Sequence, residues 1–209
     1  NVLGTGSVSV TQNNPLVGCD TTVSINVLVL YTPVPVIDLP NDTACENNDY
    51  IYRVTSQGNG ETYSWSVSGG VILGGSSDTF ALIQWAGPGT GLIQVTQTSA
   101  FGCDSTITDT VVIVQTPKPV ISLPNDSACQ NKIYNYSVTP VAGESYAWTV
   151  SGGQFIGDST SDNVNILWGT PGTGTITLTQ TSAFGCDSTV SANVSIVYTP
   201  TPVISFPND

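Results

Sequence analysis

The stretch Thr96–Thr106, TQTSAFGCDST, occurs a second time, letter for letter, at Thr179–Thr189. A divergent copy, TQNNPLVGCDT, occupies Thr11–Thr21 and keeps the Gly-Cys-Asp. Repetition at a fixed distance is the sequence signature of tandem modules. The cysteines of the three copies are 84 and 83 residues apart, which predicts a module of about 84 residues.

Other residues recur at the same distance and define the module. They include three pairs of large or reactive side chains: Cys45 with Cys129, Trp65 with Trp148, and Trp85 with Trp168. This frame predicts the end of one repeat in residues 1–31, complete repeats in 32–115 and 116–198, and the start of another in 199–209. Because the chain begins and ends inside a repeat, we expect it to be a section of a longer array.

Composition excludes several classes of function. The 209 residues include 15 acidic and 3 basic side chains and no His, for a net charge of -12. Nucleic acids and anionic membranes need clustered Lys and Arg, so neither is an expected partner. No apolar run approaches 18 residues, so no membrane span is predicted. Each complete repeat has one recurring glutamate, Glu61 or Glu144, which does not make an acid–base pair, and we expect no enzyme activity.

Alternation of apolar and polar residues predicts about seven strands in a repeat and no helix. In the second repeat the predicted strands are Pro119–Leu123, Ile133–Thr139, Ser145–Val150, Gln154–Ile156, Asn163–Trp168, Thr175–Thr181 and Ser188–Tyr198. Strands of this length, separated by turn residues, are typical of an immunoglobulin-like β-sandwich. The Trp and Tyr side chains fall on the inward positions and are expected to fill the core, although a sugar-stacking platform is an alternative.

The joints between repeats are rich in proline. They read Thr32-Pro-Val-Pro, Thr116-Pro-Lys-Pro and Thr199-Pro-Thr-Pro. Proline restricts the backbone and favours an extended chain, so these joints are expected to be stiff. We therefore expect an all-β chain of tandem Ig-like sandwiches arranged end to end as a rod.

The recurring residues follow a fixed order, which in the second repeat is Cys129, Tyr134, Tyr146-Ala-Trp148, Gly152-Gly153, Trp168, Gly172-Thr-Gly174 and Gly185-Cys186. This order resembles that of the PKD-like and Ig-like repeats of Bacteroidetes extracellular surface proteins. Such repeats occur in large adhesins and filaments, and no catalytic residue belongs to their pattern. The resemblance implies a secreted or cell-surface location, a role in cell adhesion, and neighbouring repeats of the same chain as the main partners.

Five cysteines at periodic positions, with no His and no CxxC pair, indicate disulfides rather than zinc ligands. Disulfides in turn indicate an oxidising, extracellular compartment. Two pairings are open. Bonds within repeats would be Cys45–Cys103 and Cys129–Cys186. In an Ig-like sandwich, however, these partners would lie at opposite ends, roughly 30 Å apart, whereas a disulfide needs Cα atoms within about 7 Å.

The second pairing is a bond between repeats, Cys45–Cys186. It would leave Cys19, Cys103 and Cys129 to pair with repeats outside this sequence.

Acidic residues near the predicted ends of the sandwiches are weak candidates for Ca²⁺ between repeats: Asp42, Asp104, Asp126 and Asp187. Asp also commonly serves turns, and no dense acidic cluster exists, so no other cofactor or metal is expected. A further resemblance concerns Asp followed by Ser or Thr, which is similar to the O-glycosylation motif of Bacteroidetes exported proteins. It would make this chain a glycoprotein with glycans at Thr21, Thr43, Ser105, Thr110, Ser127, Ser159 and Ser188.

These observations favour a structural segment of a stiff cell-surface stalk, adhesin or filament. The alternative is a binding module whose repeats recognise glycans or another surface. Lateral association into a fibre through exposed strand edges is a further expectation.

Overall fold

The computed structural model describes residues 2–40, 42–56, 58 and 60–204, and every helix or strand in that part of the chain is a β-strand. The all-β class predicted from the sequence is confirmed. In chain order the strands are β1 (Val2–Asn14), β2 (Cys19–Leu30), β3 (Ile37–Asp38), β4 (Thr43–Cys45), β5 (Asp49–Val54), β6 (Thr62–Ser68), β7 (Gly70–Gly74), β8 (Phe80–Trp85), β9 (Gly89–Thr98), β10 (Asp104–Val114), β11 (Ser127–Cys129), β12 (Ile133–Ser137), β13 (Ser145–Ser151), β14 (Gly153–Phe155), β15 (Asn163–Trp168), β16 (Gly172–Thr181) and β17 (Asp187–Val197).

Strands β1 and β2 form an antiparallel hairpin whose two faces are both exposed. Its sequence corresponds to that of β9 and β10. Val8 and Val10 of the hairpin match Ile93 and Val95 of the first complete repeat, where these positions are fully buried. In the hairpin the same two positions are 59% and 68% exposed. Val8 and Val10 of the hairpin therefore correspond to core-facing residues of β9.

The first complete repeat is a sandwich of two four-stranded sheets, in the orders β4-β10-β9-β6 and β3-β5-β8-β7. Alternate residues of each strand point inward because side chains of a strand alternate between its faces. The inward residues of both sheets enclose one apolar core. Its largest fully buried side chains include Tyr52 and Trp85 of one sheet and Ile93 and Val95 of the other.

The second repeat repeats this plan with sheets β11-β17-β16-β13 and β12-β15-β14. Its core contains Tyr136 and Trp168 on one side and Ile176 and Leu178 on the other. The prediction that aromatic side chains fill the core is confirmed, since all four Trp side chains are at most 5% exposed. A Tyr–Trp pair recurs in the centre of each core. The Trp168 indole N–H donates to the Tyr136 hydroxyl at 2.8 Å and Trp85 donates to Tyr52 at 2.9 Å.

The structure differs from the prediction at two elements of the second repeat. The strand predicted at Pro119–Leu123 is an isolated bridge between Ser122 and Ser137. Proline has no N–H to give to a ladder, so a segment with Pro at its start pairs poorly. Strand β11 was not predicted because its sequence, Ser-Ala-Cys, contains no β-branched or aromatic residue. It pairs in parallel with the last part of β17 and carries Cys129.

Glycines explain how the large indoles fit against the sheets. A Cβ added at Gly91 would lie 2.2 Å from the Trp85 ring, and one added at Gly174 would lie 2.1 Å from the Trp168 ring. Real atoms do not approach so closely, so only Gly leaves room for the indole at these positions. The second glycine of each Gly-x-Gly is therefore a packing requirement of the core rather than a turn residue.

Candidate functional site: the cysteines of each repeat

The early cysteine of each repeat lies at the end of a short edge strand and is held by a tyrosine. The backbone N–H of Cys45 donates to the hydroxyl of Tyr50 at 2.8 Å, and that of Cys129 donates to Tyr134 at 2.9 Å. The Tyr-x-Tyr pattern thus has two roles. Its first Tyr satisfies the cysteine backbone, and its second Tyr pairs with the core Trp.

The late cysteine of each repeat closes a tight turn made by the repeated stretch TQTSAFGCDST. In the second repeat the Ser182 N–H donates to the Cys186 carbonyl at 2.7 Å, and the Cys186 N–H donates to the Ser182 hydroxyl at 3.2 Å. Gly185 has φ +81°, a conformation that favours glycine. Ser99 and Cys103 make the same two bonds in the first repeat, at 2.8 and 3.1 Å. The stretch therefore fixes one cysteine at the tip of each hairpin.

Within one repeat the two cysteines lie at opposite ends of the same strand. Cys129 pairs with Val197 at the end of β17, whereas Cys186 immediately precedes Asp187 at its start. A strand rises about 3.3 Å per residue, so the 11 residues of β17 separate the two positions by roughly 36 Å. This is far beyond the reach of a disulfide, which needs Cα atoms within about 7 Å.

The bonding state of the cysteines agrees with that separation. Cys45 and Cys186 are disulfide-bonded, whereas Cys19, Cys103 and Cys129 carry free thiols. Neither bond within a repeat is therefore formed, and the intra-repeat alternative, Cys45–Cys103 with Cys129–Cys186, is wrong for this structure. The physical reason is the parallel pairing of the edge strand with the last strand, which places the early cysteine at the far end from the hairpin tip.

Buried polar groups near the hairpin end were not predicted. Gln97 and Gln180 belong to the repeated stretch and lie on inward positions, at 0% and 3% exposure. Gln180 donates an amide hydrogen to the carboxylate of Glu144, and its side-chain oxygen has no hydrogen-bond partner. The signal was present in the sequence, because Gln12, Gln97 and Gln180 continue the inward alternation of apolar residues. A Gln at an inward position beside a turn, however, predicts the end of the strand rather than a core residue.

The acidic calcium candidates lie on the surface of their repeats. Asp42, Asp104, Asp126 and Asp187 are all exposed. Among the described residues, no group of three or more His, Cys, Asp or Glu side chains could hold a metal ion. The backbone carbonyls of Asp42 and Asp126 instead accept hydrogen bonds from Val112 and Ser195, both at 2.9 Å. These bonds connect the edge strand of each repeat to its last strand.

None of the seven candidate residues of the Asp-Ser/Thr motifs is buried: Thr21, Thr43, Ser105, Thr110, Ser127, Ser159 and Ser188. One motif is an ordered turn. The carboxylate of Asp158 accepts hydrogen bonds from the backbone N–H of Thr160 at 2.9 Å and from its hydroxyl at 2.7 Å. These bonds favour the charged carboxylate and lower the pKa of Asp158 below its ordinary value.

Burial acts in the opposite direction on the core tyrosines. It raises the pKa of Tyr52 and of Tyr136, because a phenolate would lose its hydration in the apolar core. Both phenols therefore stay neutral across the physiological range and hold their hydrogen bonds with the indoles. They act as core residues rather than as reactive groups.

In each repeat the sheet that contains the last strand, β4-β10-β9-β6 or β11-β17-β16-β13, has an outward face made mainly of small polar residues. In the first repeat Leu92 and Val112 are also exposed on it, at 42% and 52%. In the second repeat Thr179 bonds Thr189 at 2.8 Å and Thr177 bonds Ser191 at 2.8 Å across neighbouring strands. The first repeat has the matching pair Thr96 and Thr106 at 2.7 Å. Exposed aromatics in the described repeats do not gather on this face. The recurring one is Phe101 at 52% exposure, with its counterpart Phe184, at the hairpin tip.

The fold and the cysteine frame define a class of tandem Ig-like sandwich modules. The PKD-like domain family model matches residues 32–112 and again 114–196. The chain belongs to the PKD-like domain family, with two copies of the domain. No curated protein matches it. None of the described residues forms a helix with the length and apolarity needed to cross a membrane.

Solved structures with a related arrangement have low identity. The chain is similar to the fibronectin(III)-like modules of Clostridium thermocellum CbhA, at 16% identity and a TM-score of 0.38, with 84% of this chain and 100% of that chain covered. It is also similar to murine CEACAM1b at 10% identity and a TM-score of 0.33, with coverage of 78% and 100%. The Bacteroides ovatus glucan-utilisation protein SGBP-B, solved with a mixed-linkage heptasaccharide, gives 11% identity and a TM-score of 0.30, and the match covers 74% of this chain and 42% of that chain.

Proposed function

We propose that this chain is a structural segment of an extracellular repeat protein and serves as a stiff stalk or filament at the cell surface. The observation that carries the proposal is which two of the five cysteines are disulfide-bonded. One is the early cysteine of the first repeat, Cys45, and the other is the late cysteine of the second repeat, Cys186. Their counterparts, Cys129 and Cys103, are free.

The corresponding covalent scheme is a bond between the early cysteine of one repeat and the late cysteine of the next, Cys45–Cys186. Applied along an array, the same rule pairs Cys129 with a following repeat and Cys19 and Cys103 with preceding repeats. Each joint would then carry both a proline-rich connection and a disulfide. Proline restricts the backbone and the disulfide closes the joint from a second point, so bending of one repeat against the next is opposed twice.

The surface supports a spacer more than a ligand-binding module. In each repeat the sheet that contains the last strand exposes Ser and Thr hydroxyl groups. The Trp side chains, which could stack on sugars, lie in the core. Glycan recognition by the repeats remains the alternative function, with the tip residues Phe101 and Phe184 as its exposed aromatics. Calcium at the acidic residues and O-linked glycans at the Asp-Ser/Thr motifs are proposals that would add to either role. The extracellular location is proposed from the disulfide.

Small-angle X-ray scattering of the oxidised chain tests the stalk. A compact globular protein of 209 residues would have a radius of gyration of about 17 Å. We expect a clearly larger radius and a scattering curve of a stiff particle, and a loss of stiffness in the Cys45→Ser/Cys186→Ser variant. A radius near the compact value contradicts the stalk. Binding of soluble polysaccharides by the same sample, measured by calorimetry, would favour the glycan alternative instead.

A further inference from the structure

The sheet β3-β5-β8-β7 of the first repeat has an outward face that differs from that of its counterpart in the second repeat. Apart from Gln84, the residues of β5, β7 and β8 that point away from the core are apolar or charged. We call these seven residues the apolar face: Asp49, Ile51, Arg53, Val71, Leu73, Phe80 and Leu82. Ile51, Val71 and Leu73 are 47%, 54% and 50% exposed. Contiguous exposed apolar side chains on a soluble module commonly mark an interaction site.

The second repeat provides an internal comparison, because it has the same strands and the same core. Its residues at the seven matching positions are Ile133, Asn135, Ser137, Gln154, Ile156, Asn163 and Asn165. Four of them are amides, which replace Ile51, Val71, Phe80 and Leu82. Ile133 and Ile156 are still exposed there, at 57% and 43%, and Leu167 stands at the position of Gln84. The sandwich therefore folds with amides in place of Ile51, Val71, Phe80 and Leu82, so these four apolar residues are not required by its core.

Charges frame the apolar face. Asp49 and Arg53 stand two positions on either side of Ile51 on β5, and the second repeat has neither charge at these positions. The Arg53 guanidinium lies over the Phe80 ring at 5.8 Å, and the Gln84 amide donates to Asp49 at 3.0 Å. Asp38 of β3, next to Arg53 in the ladder, adds a second carboxylate on this side. Asp49 and Arg53, which carry opposite charges, thus lie two residues from Ile51 on either side of it.

This arrangement is complementary to itself. A two-fold axis that runs across the strands and passes beside Ile51 reverses the strand direction in the second copy. Asp49 of one copy then faces Arg53 of the other, and this contact occurs twice. Leu82, the ladder partner of Ile51, faces its own counterpart next to the axis. Two sheets packed face to face in this way lie about 10 Å apart, which suits interdigitated Ile, Leu and Val side chains.

We propose that the apolar face binds the same face of a second copy of this chain, with the two β5 strands antiparallel and Ile51 at the centre. This interaction joins chains side by side through the first repeat and not through the second. It goes beyond the stalk proposal and does not depend on how the cysteines pair. The face has fewer side chains than a standard stable interface, so a single contact is weak. Several such contacts between long arrays would strengthen one another.

Sedimentation equilibrium of the 209-residue chain tests the proposal. The background carries Cys19→Ser, Cys103→Ser and Cys129→Ser, so that free thiols cannot form disulfides between chains. We expect dimerisation with a dissociation constant of roughly 10–1,000 µM, the weak end of protein interfaces. The polar variant Ile51→Asn/Arg53→Ser/Val71→Gln/Leu82→Asn, which installs residues of the second repeat, should weaken dimerisation about tenfold or more. Circular dichroism confirms that it folds.

Charge-reversal variants distinguish the two-fold contact from non-specific association. Asp49→Arg and Arg53→Asp should each weaken dimerisation, because like charges then face each other across the axis. The double variant Asp49→Arg/Arg53→Asp restores both pairs and should recover most of the affinity. A monomeric parent chain at the highest concentration overturns the proposal. It is also overturned if the polar variant associates like the parent, as it would if the exposed hairpin of residues 2–30 caused the association, or if the double variant is no tighter than the single ones.

Discussion

At the scale of residues, a few side chains decide how the sandwich closes. Tyr52 and Trp85 form an edge-on pair with ring centroids 6.1 Å apart and an interplanar angle of 80°, and Tyr136 and Trp168 repeat it at 6.1 Å and 88°. Edge-to-face aromatic pairs are favourable, and the indole N–H is satisfied by the phenol. Each of these Trp rings packs against a glycine of another strand, Gly91 or Gly174, where a side chain would leave no room. Inward alternation predicted the aromatic core, but the role of the glycine depends on contact between strands that are distant in sequence.

The substitution Gly91→Ala tests that contact. Its methyl group would overlap the Trp85 ring, and such overpacking costs about 1–3 kcal/mol. We expect a lower urea midpoint for the first repeat, measured by tryptophan fluorescence. Gly87→Ala is the matched control, because a Cβ there meets nothing within 4 Å. Equal midpoints for the two variants would contradict the packing role of Gly91.

At the scale of elements, the longer strands were predictable. Of the two three-residue strands in the second repeat, β14 was predicted one residue late and β11 was missed. Asn163–Trp168 was predicted with its observed bounds, because six alternating residues flanked by turn residues carry a clear signal. Strand β11 has three residues and is defined only by its parallel partner β17. Its position nevertheless decides the cysteine chemistry, since it places Cys129 away from Cys186. Sequence reasoning could place the two cysteines at opposite ends only by assuming the immunoglobulin-like order of strands.

The hairpin turn of the repeated stretch is also a testable element. Ser182 accepts a hydrogen bond from the Cys186 N–H and so fixes the turn that carries this cysteine. We expect Ser182→Ala to destabilise the second repeat by about 1 kcal/mol, the usual net value of one hydrogen bond. The exposed strand residue Ser195 gives the control, because Ser195→Ala should stay within about 0.5 kcal/mol. Urea unfolding measures both, and an equally small effect for Ser182→Ala would show that the turn does not need the hydroxyl.

At the scale of the whole molecule, the same module is used twice with different outer faces. The repeated positions are those of the core and of the cysteine turn, whereas residues on the outward faces of both sheets differ, as Ile51 and Asn135 or Leu92 and Thr175 do. The proposed lateral contact uses one of these differing faces. In tandem proteins each repeat mainly contacts its neighbours, so the joints determine the mechanical behaviour. The stalk proposal consequently depends most on the disulfide-bonded state of Cys45 and Cys186.

Peptide mapping without reduction tests that bond most directly. Trypsin cleaves after Arg53 and Lys132 but poorly at Lys118, which precedes Pro119, so three peptides result: 1–53, 54–132 and 133–209. Free thiols are alkylated in denaturant before digestion. We predict that 1–53 is recovered linked to 133–209 with Cys19 alkylated, and that 54–132 is released alone with Cys103 and Cys129 alkylated. Recovery of 54–132 linked to either of the other peptides would contradict the joining of consecutive repeats through Cys45 and Cys186.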